Sequence, residues 1–265
     1  MDDASIKKNM DANALANYQR VTYQVKYLRP PCAVVGGGPG LKYSLDVLRT
    51  WEGDIFGVND TAAYLSKNGI ACNLYSIDST PVAYPTGILI KDAYLATRSD
   101  PSQFRPYSYD NIYTFDIAED GFGGVQGGPT AVTRAPHLFL RMGYTGVVLF
   151  GCEACFSDLN ETHVTGTQKV AYDNMLVIHA DGHDFVTNAS LFMQTQFLVD
   201  LINRHPQYIK NASGGLLAAM LADPDWDCVA IGEDLKAQYE SKGVYIFSKP
   251  FDARERAIWQ LQATS

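Results

Sequence analysis

A run of small residues, GGGPG at Gly36–Gly40, directly follows the apolar stretch Cys32–Val35 and constrains the fold of this chain more than any other feature. A short apolar stretch that stops at glycines is typical of a buried parallel strand that turns tightly into a helix. Two further strand candidates, Asp54–Val58 and Asn73–Ile77, follow at intervals that leave room for one helix each. This β-α-β-α-β alternation predicts an α/β fold with a doubly wound, mostly parallel sheet and helices on both faces.

The remainder of the chain extends the same alternation, with Gly146–Phe150 as a central strand. No internal repeat or low-complexity linker interrupts it, so we predict a single Rossmann-like nucleotide-binding domain over residues 31–265. The polar stretch after the central strand predicts a lid over about residues 152–182. Residues 1–30 are predicted to form a helical extension with an apolar face made of Ile6, Met10, Leu15 and Tyr18.

Charge and hydropathy restrict the partners of the chain. Its 265 residues carry a formal net charge of −8 at pH 7. An acidic chain without a basic patch repels phosphate backbones, which argues against a nucleic-acid partner. No stretch approaches the ~18 uncharged apolar residues of a membrane span, and the N-terminal residues lack the apolar core of a signal peptide. We therefore expect a cytoplasmic protein, and its oligomeric state stays open, a homo-oligomer included.

Five cysteines fit a reducing compartment. Cys32, Cys72 and Cys228 have apolar neighbours, which predicts reduced thiols in the core. Cys152 and Cys155 have the spacing of a redox or zinc site, but zinc needs two more ligands and no second pair of cysteines exists. We therefore predict small buried residues at this pair and no metal site.

Ligands of open α/β sheets bind beyond the carboxyl ends of the strands, and three segments are predicted to meet there. The run Gly36–Gly40 bares backbone amides at a helix start, which suits a phosphate. Gly127–Thr130 opens a second helix and is either another part of a nucleotide site or only a flexible connection. Gly151 and Glu153 follow the central strand, where a carboxylate binds a ribose hydroxyl, acts as a base or is merely solvated.

Two known nucleotide signatures fit the glycine run poorly. The dinucleotide fingerprint lacks its third glycine, where Leu41 stands, and Asp60 at the end of the second strand keeps an NAD site as a weak alternative. The P-loop pattern fails, because no Gly-Lys-Ser/Thr follows the run. The phosphate prediction also requires an open run, so side chains that fill its mouth would argue against an activated donor.

Three histidines, His163, His179 and His183, lie in or after the polar stretch that follows the central strand. Imidazole titrates near neutral pH, so one of these residues is a candidate general base. The alternative for each is an ordinary surface histidine.

The order of these segments resembles the 6-hydroxymethylpterin diphosphokinase MptE-like family, which includes the bacterial motility accessory factors, nonulosonic-acid transferases that act on flagellin. The resemblance covers about residues 32–220 and is carried by the stretches VVGGGPGLK, FGVN, YSID, GPTA, VLFG, FSD, TH and IKNASGG. The same elements are similar to those of bacterial sialyltransferases with a Rossmann-like nucleotide domain. The resemblance implies a sialyltransferase-like fold and a CMP-sugar donor, with no permanently bound cofactor.

The resemblance also implies roles for particular residues, with Glu153 near the ribose or base of the donor. The implied donor pocket consists of Gly36, Gly38, Asn59, Gly128 and Thr130, and the further donor-binding candidates are Gly37, Pro39, Gly40, Asp60, Asp78, Gly151 and Ser157. The implied base is His183, which has the sialyltransferase spacing in HDFVT, or His163, which matches a Thr-His pair of the motility factors; we favour His183. Gly40 replaces the usual serine of these families, and Glu153 the usual aspartate.

Pterin diphosphokinases of this family resemble thiamine pyrophosphokinases, which carry two carboxylates after the third strand, whereas this chain has only Asp78 there. Transfer of diphosphate from ATP needs magnesium held by carboxylates, so this cluster is incomplete. We therefore predict a glycosyltransferase that uses a nucleotide-activated donor and a hydroxyl-bearing acceptor. The alternatives are a diphosphokinase that uses ATP with magnesium and a non-catalytic nucleotide-binding module.

Overall fold

The structure, a computed structural model, describes residues 2–16, 18–23, 26, 28–81, 89–104, 109–120, 123–156, 163–164 and 175–230. The chain divides into unit 1, Met1–Val35 with Leu48–Val147, and unit 2, Gly36–Val47 with Val148–Ser265. The helices are α1 (Asp3–Leu15), α2 (Leu45–Arg49), α3 (Thr61–Lys67), α4 (Ala131–Arg141), α5 (Ala189–Arg204) and α6 (Gly215–Ala222). The strands are β1 (Gln19–Arg20), β2 (Cys32–Val35), β3 (Ile55–Val58), β4 (Cys72–Ser76), β5 (Ile90–Ala96), β6 (Asn111–Phe115), β7 (Val147–Phe150), β8 (Met175–Ala180), β9 (His183–Asn188), β10 (Ile209–Asn211) and β11 (Asp227–Ala230).

The larger sheet has eight strands in the order β1-β6-β5-β4-β3-β2-β7-β10. The pairings from β1 through β6, β5, β4 and β3 to β2 are all parallel. From β2 the chain builds one side of this sheet through β3, β4, β5 and β6, and it then adds β7 and β10 on the other side. This arrangement confirms the predicted α/β fold with a mostly parallel sheet.

Buried apolar strands explain why the sequence pattern locates the sheet of unit 1 correctly. Every residue of β2, β3 and β4 is buried, as expected for parallel strands with both faces covered. Behind them Phe56 of β3 stacks on Phe139 of α4, with ring centroids 3.8 Å apart. Gly57 lets α3 approach closely, because a Cβ there would lie 2.6 Å from the Cα of Ala62.

Helix α1 differs from its prediction. The helix ends at Leu15, whose side chain is 87% exposed, and Tyr18 lies beyond its end, so the predicted apolar face is wrong for these two residues. Ile6 and Met10 are half-buried. The residues that α1 buries are Asn9 and Asn13, whose side-chain amides donate to four backbone carbonyls in the loops after β4 and β5. The helix is therefore attached by polar capping of loop carbonyls, which a search for apolar periodicity does not detect.

In unit 2, β8 and β9 form an antiparallel hairpin in a three-stranded sheet of order β11-β8-β9. The turn consists of Asp181 and Gly182, which both have positive φ, as two-residue hairpin turns require. Part of the predicted lid over residues 152–182 thus forms strand β8, while residues 157–162 and 165–174 lie outside the described residues. None of the helices among the described residues is long and apolar enough to cross a membrane.

Candidate functional site

The glycine run Gly36–Gly40 leaves β2 and hydrogen-bonds to the end of β7. The Gly36 amide donates to the Phe150 carbonyl over 2.8 Å, and the Gly38 amide donates to the Gly151 carbonyl over 2.8 Å. Two of the amides that the sequence analysis assigned to a phosphate are therefore bonded to the protein's own backbone.

Close approach of two backbone segments explains why this run contains glycines. A Cβ on Gly36 would lie 2.6 Å from the Gly151 carbonyl oxygen, and a Cβ on Gly38 would lie 2.8 Å from the same atom. Gly151 has a φ of 62°, and its own Cβ would lie 2.2 Å from the Gly36 carbonyl oxygen. Each of these contacts is too short for a real Cβ, so the glycines permit the packing seen here whether or not a ligand binds.

Glu153 fills the mouth of the glycine run. It is only 2% exposed, and a Cβ on Gly38 would lie 1.8 Å from its Oε2 atom. Gly215, with a φ of 66°, lies against the same side chain, since a Cβ there would be 2.7 Å from the Glu153 Cβ. The carboxyl group thus occupies the space above Gly38 where the sequence analysis expected a phosphate, and an ionised carboxylate repels a phosphate at such a distance.

Cys152 and Cys155 flank Glu153 and are buried, as predicted. Burial raises the pKa of the Cys152 thiol to about 12, and the charge of Glu153 acts in the same direction. Burial likewise raises the pKa of the Cys155 thiol to about 12. Thiols that stay protonated at neutral pH are poor nucleophiles and poor metal ligands. Within the described ranges, no group of three or more metal-ligating side chains comes together.

Two of the other three cysteines are buried as predicted, and the third is not. Cys32 and Cys72 are buried, but Cys228 is exposed, so its assignment to the core is wrong. Cys228 belongs to β11, the edge strand of the three-stranded sheet, and Asp227 precedes it. An apolar neighbour in the sequence does not bury a residue on such a strand, because β11 pairs on one side only among the residues that the structure describes.

His163 adjoins the glycine run. The amide of Val164, the next residue, donates to the Gly37 carbonyl over 2.8 Å, and His163 is half-buried. The structure therefore brings this candidate base beside residues that were predicted to bind the donor.

His183 lies in a different environment. It is exposed at the start of β9, while the Phe156 amide donates to the carbonyl of Val186. Three residues of extended strand span about 10 Å, so the segment after Glu153 meets β9 well beyond His183. His179, the third candidate, makes an exposed hydrogen-bond contact with Asp184 across the same hairpin. The structure does not bring either histidine to the glycine run.

In unit 1, Asn59 follows β3 with a φ of 50°. Its amide donates to the Tyr75 carbonyl over 3.0 Å, and its carbonyl accepts from the amide of Ala62 in α3. The Asn59 Oδ1 atom is buried and accepts no hydrogen bond from the described part of the chain. Asp60, the next residue, is exposed and makes no side-chain bond to cap α3.

Two further polar side chains of unit 1, those of Tyr75 and Arg134, are buried, and each has an atom that lacks a partner within the described part of the chain. Tyr75 is completely buried, and its hydroxyl has no hydrogen-bond partner among the described residues. Arg134 is 5% exposed and donates to the Val125 carbonyl and to Glu119, yet its Nε atom has no partner there. Burial raises the pKa of Tyr75 strongly, and the charge of Arg134 opposes this rise, so the two groups interact electrostatically.

The second glycine segment packs around Arg134. Gly127 has a φ of 145°, and a Cβ there would lie 2.8 Å from the Cα and Cγ atoms of Arg134. Gly128 is buried. Thr130 caps α4, with Thr133 in a reciprocal capping arrangement, so its hydroxyl already serves the helix.

The remaining candidates occupy separate positions. Asp78 forms a turn, because its Oδ1 atom accepts from both the amide and the hydroxyl of Thr80. Its backbone carbonyl accepts from Gln103 and from the amide of Asp100. Pro39 and Gly40 begin a short 3-10 turn and are buried, and Ser157 lies outside the described residues.

Tyr75 and Arg134 are residues that the sequence analysis did not single out as a site. Tyr75 stands in the YSID stretch, but as an aromatic residue on a buried strand it is typical of a core position. Arg134 is unusual because it is a charged residue at a buried position of α4. That burial cannot be recognised from the sequence before the fold is known. The structure thus adds these two residues to the candidate Asn59.

These features define the class of the protein, a Rossmann-like α/β protein. Its glycine run, Asn59 and Glu153 follow the carboxyl ends of β2, β3 and β7. Comparison with known structures finds the same fold in a MAf glycosyltransferase from Magnetospirillum magneticum AMB-1, with a TM-score of 0.60 and 15% sequence identity. The match covers 79% of this chain but 36% of that chain. No protein-family model and no curated protein matches this sequence.

Proposed function

We propose that this chain is a transferase that moves a sugar from a nucleotide-activated donor to a hydroxyl-bearing acceptor. Its fold is that of a MAf glycosyltransferase, although a likeness at 15% identity carries the fold alone. The chemistry must therefore rest on residues of this chain. The observation that carries the proposal is a set of three buried polar atoms without a partner among the described residues, Asn59 Oδ1, the Tyr75 hydroxyl and Arg134 Nε. Tyr75 interacts electrostatically with Arg134, and its carbonyl accepts from the amide of Asn59.

Unpartnered buried polar atoms are costly, since each loses its hydrogen bonds with water without replacement, at about 1–3 kcal/mol. A ligand that supplies donors and acceptors would offset this cost. Asn59 Oδ1 offers an acceptor, Arg134 Nε a donor and the Tyr75 hydroxyl both. A nucleobase edge carries donors and acceptors together, so this group favours a nucleoside over a purely anionic ligand. The resemblance to CMP-sugar enzymes makes cytosine the base we propose.

Glu153 and His163 have separate roles in the proposal. A buried carboxylate repels a phosphate but accepts hydrogen bonds from hydroxyl groups, so we assign Glu153 to a ribose hydroxyl. His163 is the histidine that adjoins the glycine run, so we assign to it the removal of a proton from the acceptor hydroxyl. The oxygen of that hydroxyl then attacks the anomeric carbon, and the nucleotide leaves with the electrons of the broken bond.

A specific observation also supports the second candidate, a nucleotide-binding module without catalysis. Glu153 fills the mouth of the glycine run, and this is the circumstance under which the phosphate prediction fails. A chain that keeps the fold but has lost an open donor site would bind a nucleotide through unit 1 and turn over no activated donor.

Binding and turnover measured on the same protein distinguish these candidates. We expect calorimetry to detect CMP in preference to UDP, GDP and ATP, and Asn59→Ala to weaken CMP binding at least tenfold. Asn68→Ala is the matched control, because the Asn68 side-chain amide donates to the Tyr64 carbonyl at the C-cap of α3. A CMP-sugar is then tested for transfer to hydroxyl-bearing acceptors.

Results other than the expected one each support a different alternative function. Binding of CMP without hydrolysis or transfer of any activated sugar establishes the non-catalytic module. Binding of ATP only with magnesium, with transfer of diphosphate to a pterin, establishes the diphosphokinase. If calorimetry detects no heat with any of these nucleotides, every proposal in which Asn59 contacts a nucleoside is eliminated.

A further inference from the structure

A cavity of about 320 Å³ lies in unit 1 at the carboxyl ends of β1, β5 and β6, away from Asn59. Strands β3 and β5 are separated by β4, so the two places are roughly 10 Å or more apart along the sheet edge. Helix α1 forms one wall of the cavity. The lining residues are Met10, Asn13, Ala14, Tyr18, Arg20, Thr97, Thr114 and Asp116.

Hydrogen bonds within the protein use the donors of the neutral polar residues that line this cavity. Both amide hydrogens of Asn13 are used, since Nδ2 donates to the carbonyls of Thr97 and Ser99 over 2.8 Å each. The Thr97 hydroxyl donates to Asp116 over 2.8 Å. The Asn13 Oδ1 atom and the lone pairs of the Thr97 hydroxyl remain as acceptors.

The other two hydroxyl groups follow the same rule. Thr114 donates to the Gln19 carbonyl over 3.2 Å, and Tyr18 donates to the Phe104 carbonyl over 3.4 Å. A hydroxyl that donates one hydrogen bond still has lone pairs that accept. The neutral lining therefore offers acceptors, and a ligand that fits it must bring the hydrogens.

The charges of the cavity cancel. Arg20 donates through two nitrogens to the two carboxylate oxygens of Asp116. Although burial raises the pKa of Asp116, hydrogen bonds from Arg20 and Thr97 lower it overall, so the carboxylate stays ionised near neutral pH. A paired arginine and carboxylate give no net charge for an ionic ligand to compensate.

We propose that this cavity binds a small neutral molecule rich in hydroxyl groups, of monosaccharide size. Hydroxyl groups supply the donors that the neutral lining residues lack, and a neutral ligand matches the compensated pair of Arg20 and Asp116. The volume lies at the lower end of the range for small-molecule sites. This proposal does not depend on the proposed transferase activity, because no residue of the cavity is assigned to the donor or to the base.

Saturation-transfer NMR on the full chain tests the proposal with three sets of probes: neutral glucose, galactose and inositol, anionic glucuronic acid, and cationic glucosamine. We expect signal for the neutral probes. Ala14→Leu fills the cavity and should reduce that binding at least tenfold. Ala12→Leu is the matched control, because Ala12 is exposed on the same helix and does not line the cavity.

A second variant addresses the acceptor role directly. Thr114→Val removes one lining hydroxyl and should weaken neutral probes severalfold. Thr195→Val is its control in unit 2, because Thr195 also donates to a backbone carbonyl, that of Leu191, but lies elsewhere. Circular dichroism confirms that each variant is folded. No signal from any neutral probe, signal only from charged probes, or equal binding by Ala14→Leu and Ala12→Leu would overturn the proposal.

Discussion

The glycine run of unit 2 and Asn59 of unit 1 both follow buried strands, but the space beside the run is filled, whereas Asn59, Tyr75 in β4 and Arg134 in α4 have polar atoms that are unsatisfied among the described residues. Glu153 fills the mouth of the run, whereas Asn59, Tyr75 and Arg134 retain polar atoms that no described residue satisfies. The glycine run, which the sequence makes obvious, is thus filled by a side chain. The polar atoms of Asn59, Tyr75 and Arg134, which the sequence does not reveal, still lack hydrogen-bond partners among the described residues. Glycines therefore report close backbone approach as readily as they report space for a ligand.

The largest expected effect concerns the base. His163→Ala should lower the rate of sugar transfer by about 10²–10⁴-fold, the usual contribution of a general base, and leave nucleotide affinity unchanged. His183→Ala is the control, since His183 is exposed at the start of β9. The measurement is single-turnover transfer from a CMP-sugar. A loss of transfer in His183→Ala alone would return the role to the histidine that the sequence analysis favoured, and full activity in both variants would remove the histidine mechanism.

The second effect concerns packing at the glycine run. Gly36→Ala should lower the free energy of unfolding by about 3 kcal/mol, because the new Cβ meets a backbone oxygen that cannot move cheaply. Gly69→Ala should cost only about 1 kcal/mol, since Gly69 has a φ of 74° but open space around it. Urea unfolding of both variants measures the difference. Equal costs would mean that close approach is not what the run provides.

The third effect contrasts two buried tyrosines of unit 1. Tyr144→Phe should cost about 2 kcal/mol, because the Tyr144 hydroxyl donates to the Asp54 carboxylate and accepts from Arg29. Tyr75→Phe should leave the stability unchanged or raise it, since the hydroxyl of Tyr75 has no partner among the described residues.

Nucleotide affinity completes that comparison. Tyr75→Phe should weaken CMP binding in calorimetry, whereas Tyr144→Phe should not. A Tyr75→Phe protein that is both less stable and unchanged in affinity would show that its hydroxyl is satisfied internally.

The smallest effect concerns the charge of Glu153. Glu153→Gln keeps the shape of the side chain but replaces one of its two oxygens with an amide nitrogen that cannot accept, so CMP affinity should fall about tenfold, or about 1.4 kcal/mol. Calorimetry with CMP, and separately with pyrophosphate, measures this change. A gain in affinity for either ligand would mean that the carboxylate obstructs the run instead of binding a ribose.

The sequence predicts β2, β3 and β7 well because fully buried parallel strands are continuous apolar stretches bounded by glycine or polar residues. The hairpin of β8 and β9 was missed although its Asp181-Gly182 turn is a recognised signal, because the surrounding polar stretch was assigned to a lid. The polar contacts of Asn9 and Asn13 leave no periodic pattern. The unpartnered atoms of Tyr75 and Arg134 depend on which neighbours the fold supplies, so no local pattern reveals them.

The distribution of the five thiols makes this chain a convenient reporter of its own integrity. Four cysteines are buried and Cys228 is exposed, so an alkylating reagent should add to the native protein once and then stop. Each further adduct counts molecules in which a protected segment has opened. Mass spectrometry after timed exposure would therefore follow local opening in every variant above without an added label.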